Sequence, residues 1–211
     1  SMELLDGRTL IDDIRDDGPI APERAVHIST QICRSLNEAH HAGIVHRDIK
    51  PDNIILISVD SDDDVVKVLD FGIAKAVIGD DDVQLTGDGR IIGTPRYMSP
   101  EQILAETLDH RSDIYSLGCI LFEMLCGAPP FMQSSTTALM ISHTQDPPPA
   151  FAQRLPSDAM SGMPGNLEQV VRKSLAKDPN GRHQTTEEFR AALETALDSA
   201  PKPFVDPGET A

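Results

Sequence analysis

The chain has 211 residues, 39% of them apolar, with a formal net charge of −16 and only 4% aromatic residues. That length supports one buried core and at most a small second domain. A chain this acidic is repelled by phosphate backbones, which excludes general nucleic-acid binding. The three cysteines, Cys33, Cys119 and Cys126, show no CxxC spacing and fall in apolar-periodic segments. They read as small core residues of a reducing, cytoplasmic compartment and give neither a disulfide framework nor a zinc signature. No signal peptide is recognisable, and no apolar run approaches the roughly 20 residues of a membrane span.

In chain order, Ser1 to Gly7 open on a strand-like run, and residues 9–17 are expected to form a short helix closed by Gly18-Pro19. The clearest helix follows. Pro22 suits a first turn, Ala25, Ile28, Ile32, Leu36 and Ala39 recur on one face, and Gly43 supplies a left-handed end. Ile44-Val45, Ile54 to Ile57 and Val65 to Leu69 read as small strands, with Asp60 to Asp64 as a hairpin turn. Residues 73–100 keep no period and are rich in Gly, Asp and Thr, as functional or mobile loops are. Residues 113–126 are almost wholly apolar and belong in the core. Further helices are expected at 134–144, 166–177 and 185–198, and from Ala200 the chain turns Pro-rich and linker-like.

The acidic runs Asp12-Asp13, Asp16-Asp17, Asp60 to Asp64 and Asp80 to Asp82 read as solvated loops and helix faces. Asp60, Asp62 and Asp64 have the opening spacing of an EF-hand, but Val65 stands where the turn glycine is needed and Phe71 where a bidentate glutamate is needed. Calcium binding is therefore rejected. Adjacent His40-His41 read as surface or loop contacts, because neighbouring side chains on a helix diverge.

The chemistry concentrates in His46-Arg47-Asp48-Ile49-Lys50-Pro51-Asp52-Asn53, a loop that gathers a carboxylate, a lysine and an amide. Asp70-Phe71-Gly72 follows the next strand run. Either motif alone is weak, whereas the two in order at strand ends are strong. Three more motifs follow in order: Gly93-Thr94-Pro95-Arg96-Tyr97-Met98-Ser99-Pro100-Glu101, Asp113-Ile114-Tyr115-Ser116-Leu117-Gly118, and Lys177-Asp178-Pro179 with Arg182. Together they resemble, over about residues 2–198, the C-terminal lobe of the bacterial eukaryotic-like (Hanks-type) serine/threonine protein kinases, from the hinge onward.

The resemblance implies a mainly α fold with small β-hairpins, protein-kinase-like but limited to the large lobe at 1–199, with a linker-like tail at 200–211. It implies transfer of the ATP γ-phosphoryl group to Ser/Thr hydroxyls of protein substrates, with Mg2+, or Mn2+ in its place. Asp48 would be the base, Lys50 the charge at the γ-phosphate, and Asn53 and Asp70 the metal ligands. Glu3 and Leu5 of the hinge would bind adenine through their backbone, Asp6 would reach the ribose, and Ile55 would form the adenine floor. Thr94 would bridge Asp48 and Lys50. Thr86 sits where related kinases are autophosphorylated, and Arg47 could pair with a phosphate there. His46, Phe71 and Gly72 take structural or regulatory roles. Asp113 would accept hydrogen bonds from the catalytic-loop backbone, and Glu101 and Arg182 would form a buried ion pair.

The resemblance also implies that the Gly-rich loop, strand lysine and helix glutamate of a complete kinase precede the hinge. The chain alone is then expected to be nearly inactive and to need its own N-lobe as a partner. The exposed apolar surface predicts a homodimer, through that surface or by exchange of the activation loop. A cytoplasmic location is expected, with any anchor lying beyond the C-terminus. The alternative is a non-catalytic docking or dimerisation module. Small-molecule phosphotransfer on the same fold is disfavoured by the long activation segment.

Overall fold

A computed structural model describes residues 7–59, 62–70 and 95–199. The N-terminal strand-like run up to Asp6, the acidic run Asp80 to Asp82 and the tail from Ala200 lie outside the described residues.

The chain enters through β1 (Arg8–Thr9) into α1 (Leu10–Asp17), where the Thr9 hydroxyl accepts the Asp12 N–H, an N-cap. α2 (Pro22–His41) starts on its proline and buries Ala25, Ile28, Ile32 and Leu36 on one face. It ends in a Schellman turn. Gly43 is left-handed at φ 74°, its N–H donates to His40 O at 3.0 Å, and the Ile44 N–H donates to Ala39 O at 2.9 Å. The Ile44-Val45 run forms no strand, because the Ile44 N–H is already committed to capping α2.

β2 (Ile54–Val59) and β3 (Asp62–Val68) form an antiparallel hairpin with β1 on the outer side of β2, in the order β1-β2-β3. Gly7 leads into this sheet at close quarters, since a Cβ there would lie 2.6 Å from Leu56 O and 2.8 Å from Ile55 Cγ2. Asp62 to Asp64, expected in the hairpin turn, belong to β3.

The solvated reading of the acidic runs fails at two positions. Asp13 and Asp64 are both buried, and both pair with Arg24, at 2.7 and 2.8 Å. Arg24 thus ties the start of α2 to α1 and to the hairpin. The Asp64 hydrogen bonds lead in holding its guanidinium above its ordinary value.

α4 (Arg111–Cys126) is the core helix. It is buried along almost its whole length and packs against α2 and α7 (Leu167–Ser174). Left-handed Gly127, at φ 72°, ends it. Gly118 lets α7 approach, since a Cβ there would sit 3.0 Å from Ser174 Cβ. α3 (Pro100–Ile103), α5 (Thr136–Gln145), α6 (Ser157–Ser161) and α8 (Thr186–Asp198) complete the helical body. α7 stops short of the expected residue 177, because the chain turns into a 3-10 segment at Pro179–Gly181. All three cysteines are buried and free. Among the described residues no helix is long and apolar enough to cross a membrane.

Candidate active site

The loop from His46 to Asn53 hangs between the end of α2 and the start of β2, and three anchors fix it. The first is Asp113, in the opening turn of α4. Its Oδ2 accepts the His46 N–H and its Oδ1 the Arg47 N–H, both at 2.9 Å, and His40 Nε2 meets Oδ2 at 2.8 Å. His40 is therefore no surface contact. Its side chain is 8% exposed and supports the carboxylate that holds the loop. Position 40 lies four residues after Leu36, on the buried face of α2, and that phase was the signal for it.

The second anchor is His46, which is fully buried. Its Nδ1 accepts the Asp48 N–H at 3.3 Å, so Nε2 carries the proton and donates to Leu69 O at 2.9 Å. The third is Gln102, in α3. Its Nε2 donates to Arg47 O at 2.7 Å. Arg47 needs this support, because its φ of 66° is left-handed and costs a non-glycine residue about 1–2 kcal/mol.

These anchors present Asp48, Lys50 and Asn53 on one side. Lys50 Nζ donates to Asp48 Oδ2 at 3.0 Å. Asn53 Nδ2 donates to the Asp48 carbonyl at 2.9 Å and reaches Oδ2 at 3.4 Å. With Nδ2 committed to Asp48, the amide oxygen is the atom Asn53 can offer a cation. Leu69 brings Asp70 alongside, since its N–H donates to Asn53 O at 2.8 Å and its carbonyl is held by His46. Asp70 is itself left-handed, at φ 53°. That backbone hydrogen bond brings residues 53 and 70 close together, and their side chains, an amide and a carboxylate, carry hard oxygens of the kind Mg2+ takes. Ile55 lies on β2 opposite Lys67 and Thr9, beside Gly7.

Glu101 and Arg182 are both buried and make a two-pronged contact of 2.8 and 2.7 Å. Every N–H of Arg182 has a partner, the others being the carbonyls of Ala176, Arg111 and Lys177. Burial pushes the Glu101 carboxyl up, but the Arg182 hydrogen bonds and charge, with the Ser112 hydroxyl at 2.6 Å, bring it below its ordinary value. Tyr97 OH donates to buried Glu123 at 2.6 Å, and burial raises that carboxyl. Glu3, Leu5, Asp6, Phe71, Gly72, Thr86 and Thr94 lie outside the described residues. Sequence reasoning missed His40, Gln102 and Glu123. Besides the helical phase of His40, Gln102 had a local signal, the Ser99-x-x-Gln102 pattern of a capping box, and Glu123 had none.

Residues 1–193 match the family described as protein kinase domain. The chain is 45% identical over 214 residues to serine/threonine-protein kinase PknB of Mycolicibacterium smegmatis, covering 99% of this chain and 32% of that protein. It is 44% identical to the Mycobacterium leprae protein of the same name, covering 91% of this chain and 29% of the relative. It thus spans about a third of the length of these curated relatives. Among solved structures, the Mycobacterium tuberculosis PknI kinase domain superposes with a TM-score of 0.67 at 25% identity, covering 93% of this chain and 65% of that one.

Proposed function

Because this chain belongs to the protein kinase domain family, we propose that the loop around Asp48 serves transfer of the ATP γ-phosphoryl group to serine or threonine hydroxyls of protein substrates. The observation that carries the reading is the convergence of Lys50 Nζ and Asn53 Nδ2 on Asp48, with Asp70 tethered to Asn53 through Leu69. The name of the PknB relatives supports the hydroxyl class.

In this reading Asp48 orients the acceptor hydroxyl and takes its proton. The hydroxyl oxygen bonds to the γ-phosphorus as the bond to the ADP oxygen breaks. Phosphoryl transfer of this kind asks mainly for positioning and charge neutralisation. Lys50 supplies a positive charge to the γ-phosphate and also restrains the Asp48 carboxylate. Asn53 Oδ1 and the Asp70 carboxylate are the proposed Mg2+ ligands, and the bound cation would neutralise phosphate charge. Glu3, Leu5, Asp6 and Ile55 belong to the proposed adenosine side. Thr86 and Thr94 belong to the proposed activation segment. The kinase unit is proposed to run over 1–199 with a linker from 200, to work with an N-lobe from the cytoplasm, and to form a homodimer, which light scattering at micromolar concentration tests.

The direct test is Asp48→Asn in the complete protein, assayed for incorporation of labelled γ-phosphate into a protein substrate. The expected result is loss of incorporation by at least about a hundredfold with an unchanged melting temperature. Full incorporation by the variant overturns the reading.

A further inference from the structure

We propose that Gln102 is a positioning residue for Asp48, acting through the peptide bond that joins Arg47 to Asp48; the inference rests on the kinase reading above. Both polar groups of that peptide are held. The Arg47 carbonyl accepts from Gln102 Nε2 at 2.7 Å, and the Asp48 N–H donates to His46 Nδ1 at 3.3 Å. The preceding peptide is fixed by the Arg47 N–H on Asp113 Oδ1. Arg47 is left-handed, so a rotation of its following peptide would carry Asp48 away from Lys50 and Asn53.

Gln102 also works at the start of α3. Its Oε1 accepts the Ser99 N–H at 2.9 Å, while its own N–H donates to Ser99 Oγ at 3.4 Å. The cap needs only an acceptor at this position, and glutamate serves there as well as glutamine. Donation to Arg47 O needs the amide nitrogen. The partners on its two sides, one donor and one acceptor, fix the amide orientation without ambiguity. The neighbouring Glu101 is locked to Arg182, so Gln102 reaches the loop from an immobile base. The geometry makes α3, which follows the activation segment in sequence, a direct support of the base.

Gln102→Glu in the complete protein separates the two roles, because it keeps the cap and removes the donor to Arg47. The expected result is a kcat lower by about 10- to 100-fold, as for a small displacement of a catalytic group, with KM for ATP and melting temperature close to the parent. Hydrogen exchange across Arg47–Asp48 should be faster. A parental kcat with parental exchange overturns the proposal. So does a loss of kcat no larger than that of Ser99→Ala, which weakens the cap alone. If the parent protein transfers no phosphate, the kinase reading fails, and exchange at Arg47–Asp48 decides the clamp by itself: faster in Gln102→Glu supports it, unchanged overturns it.

Discussion

Arg182 meets Glu101 inside the core with two parallel hydrogen bonds, and no N–H of the guanidinium is left without an acceptor. The arrangement joins α3 to the turn before α8. Removing one partner leaves the other charge buried and uncompensated. Arg182→Met is therefore expected to cost about 3–5 kcal/mol, read from the denaturant midpoint. Arg182→Lys should recover little, because an ammonium cannot reproduce the fork. The double variant Glu101→Gln/Arg182→Met should be more stable than Arg182→Met alone.

His143 gives the fold an acid limit. It is fully buried in α5, and its Nδ1 lies 3.0 Å from Tyr115 OH. Burial, followed by the nearby Lys177 charge, pushes it down from 6.5 to about 4. Between these values the unfolded chain takes up a proton that the native protein refuses. The His143 contribution to stability is thus complete above pH 6.5 and is lost as pH falls towards 4, by about 3 kcal/mol. Melting curves from pH 7.5 to 4.5 should fall more steeply for the parent than for His143→Gln.

Gly118 sits where α4 passes α7. Alanine is a better helix former than glycine by about 1 kcal/mol, yet its Cβ would lie 3.0 Å from Ser174 Cβ and closer still to the hydroxyl. Overpacking of this kind costs about 1–3 kcal/mol. Gly118→Ala is expected to lower the melting temperature, and adding Ser174→Gly should restore much of it.

Asp113→Asn tests the anchor of the loop from His46 to Asn53. The carboxylate accepts two backbone N–H groups and meets His40. An amide can offer only one oxygen, so one backbone donor faces an NH2 group. A loss of about 1–3 kcal/mol follows for a buried donor left unpaired, measured by denaturation. Phosphate transfer should fall further than the stability change explains, because the Arg47 backbone conformation loses its support.

Much of the fold was legible because its helices carry their own signals. α2 shows an apolar face between a first-turn proline and a terminal glycine, and α4 is an almost wholly apolar run. Ile44-Val45 misled because β-branched residues look alike whether they pair in a sheet or close a helix. Asp13 and Asp64 looked like any other acid. Their burial depends on Arg24, a partner remote from Asp64 in sequence, and no local pattern announces it. The same holds for the site. Asp48, Lys50, Asn53 and Asp70 stand in ordered motifs. For the residues that hold them, sequence gives only that His40 lies on the buried face of α2 and that Gln102 fits a cap, and their partners appear only where α2, α3 and α4 converge.

α2 has one further property. Near its first turn Arg24 is tied to α1 and the hairpin, and near its last turn His40 is tied to Asp113. The two attachment points are about 24 Å apart at 1.5 Å per residue. A helix fastened at both ends is a ruler with a fixed phase. One inserted or deleted residue between them would turn His40 by about 100° and shift it by ~1.5 Å. Length changes within that span are thus far harder to accommodate than substitutions, and the spacing from Arg24 to His40 is itself a specification of where the loop that carries Asp48 begins.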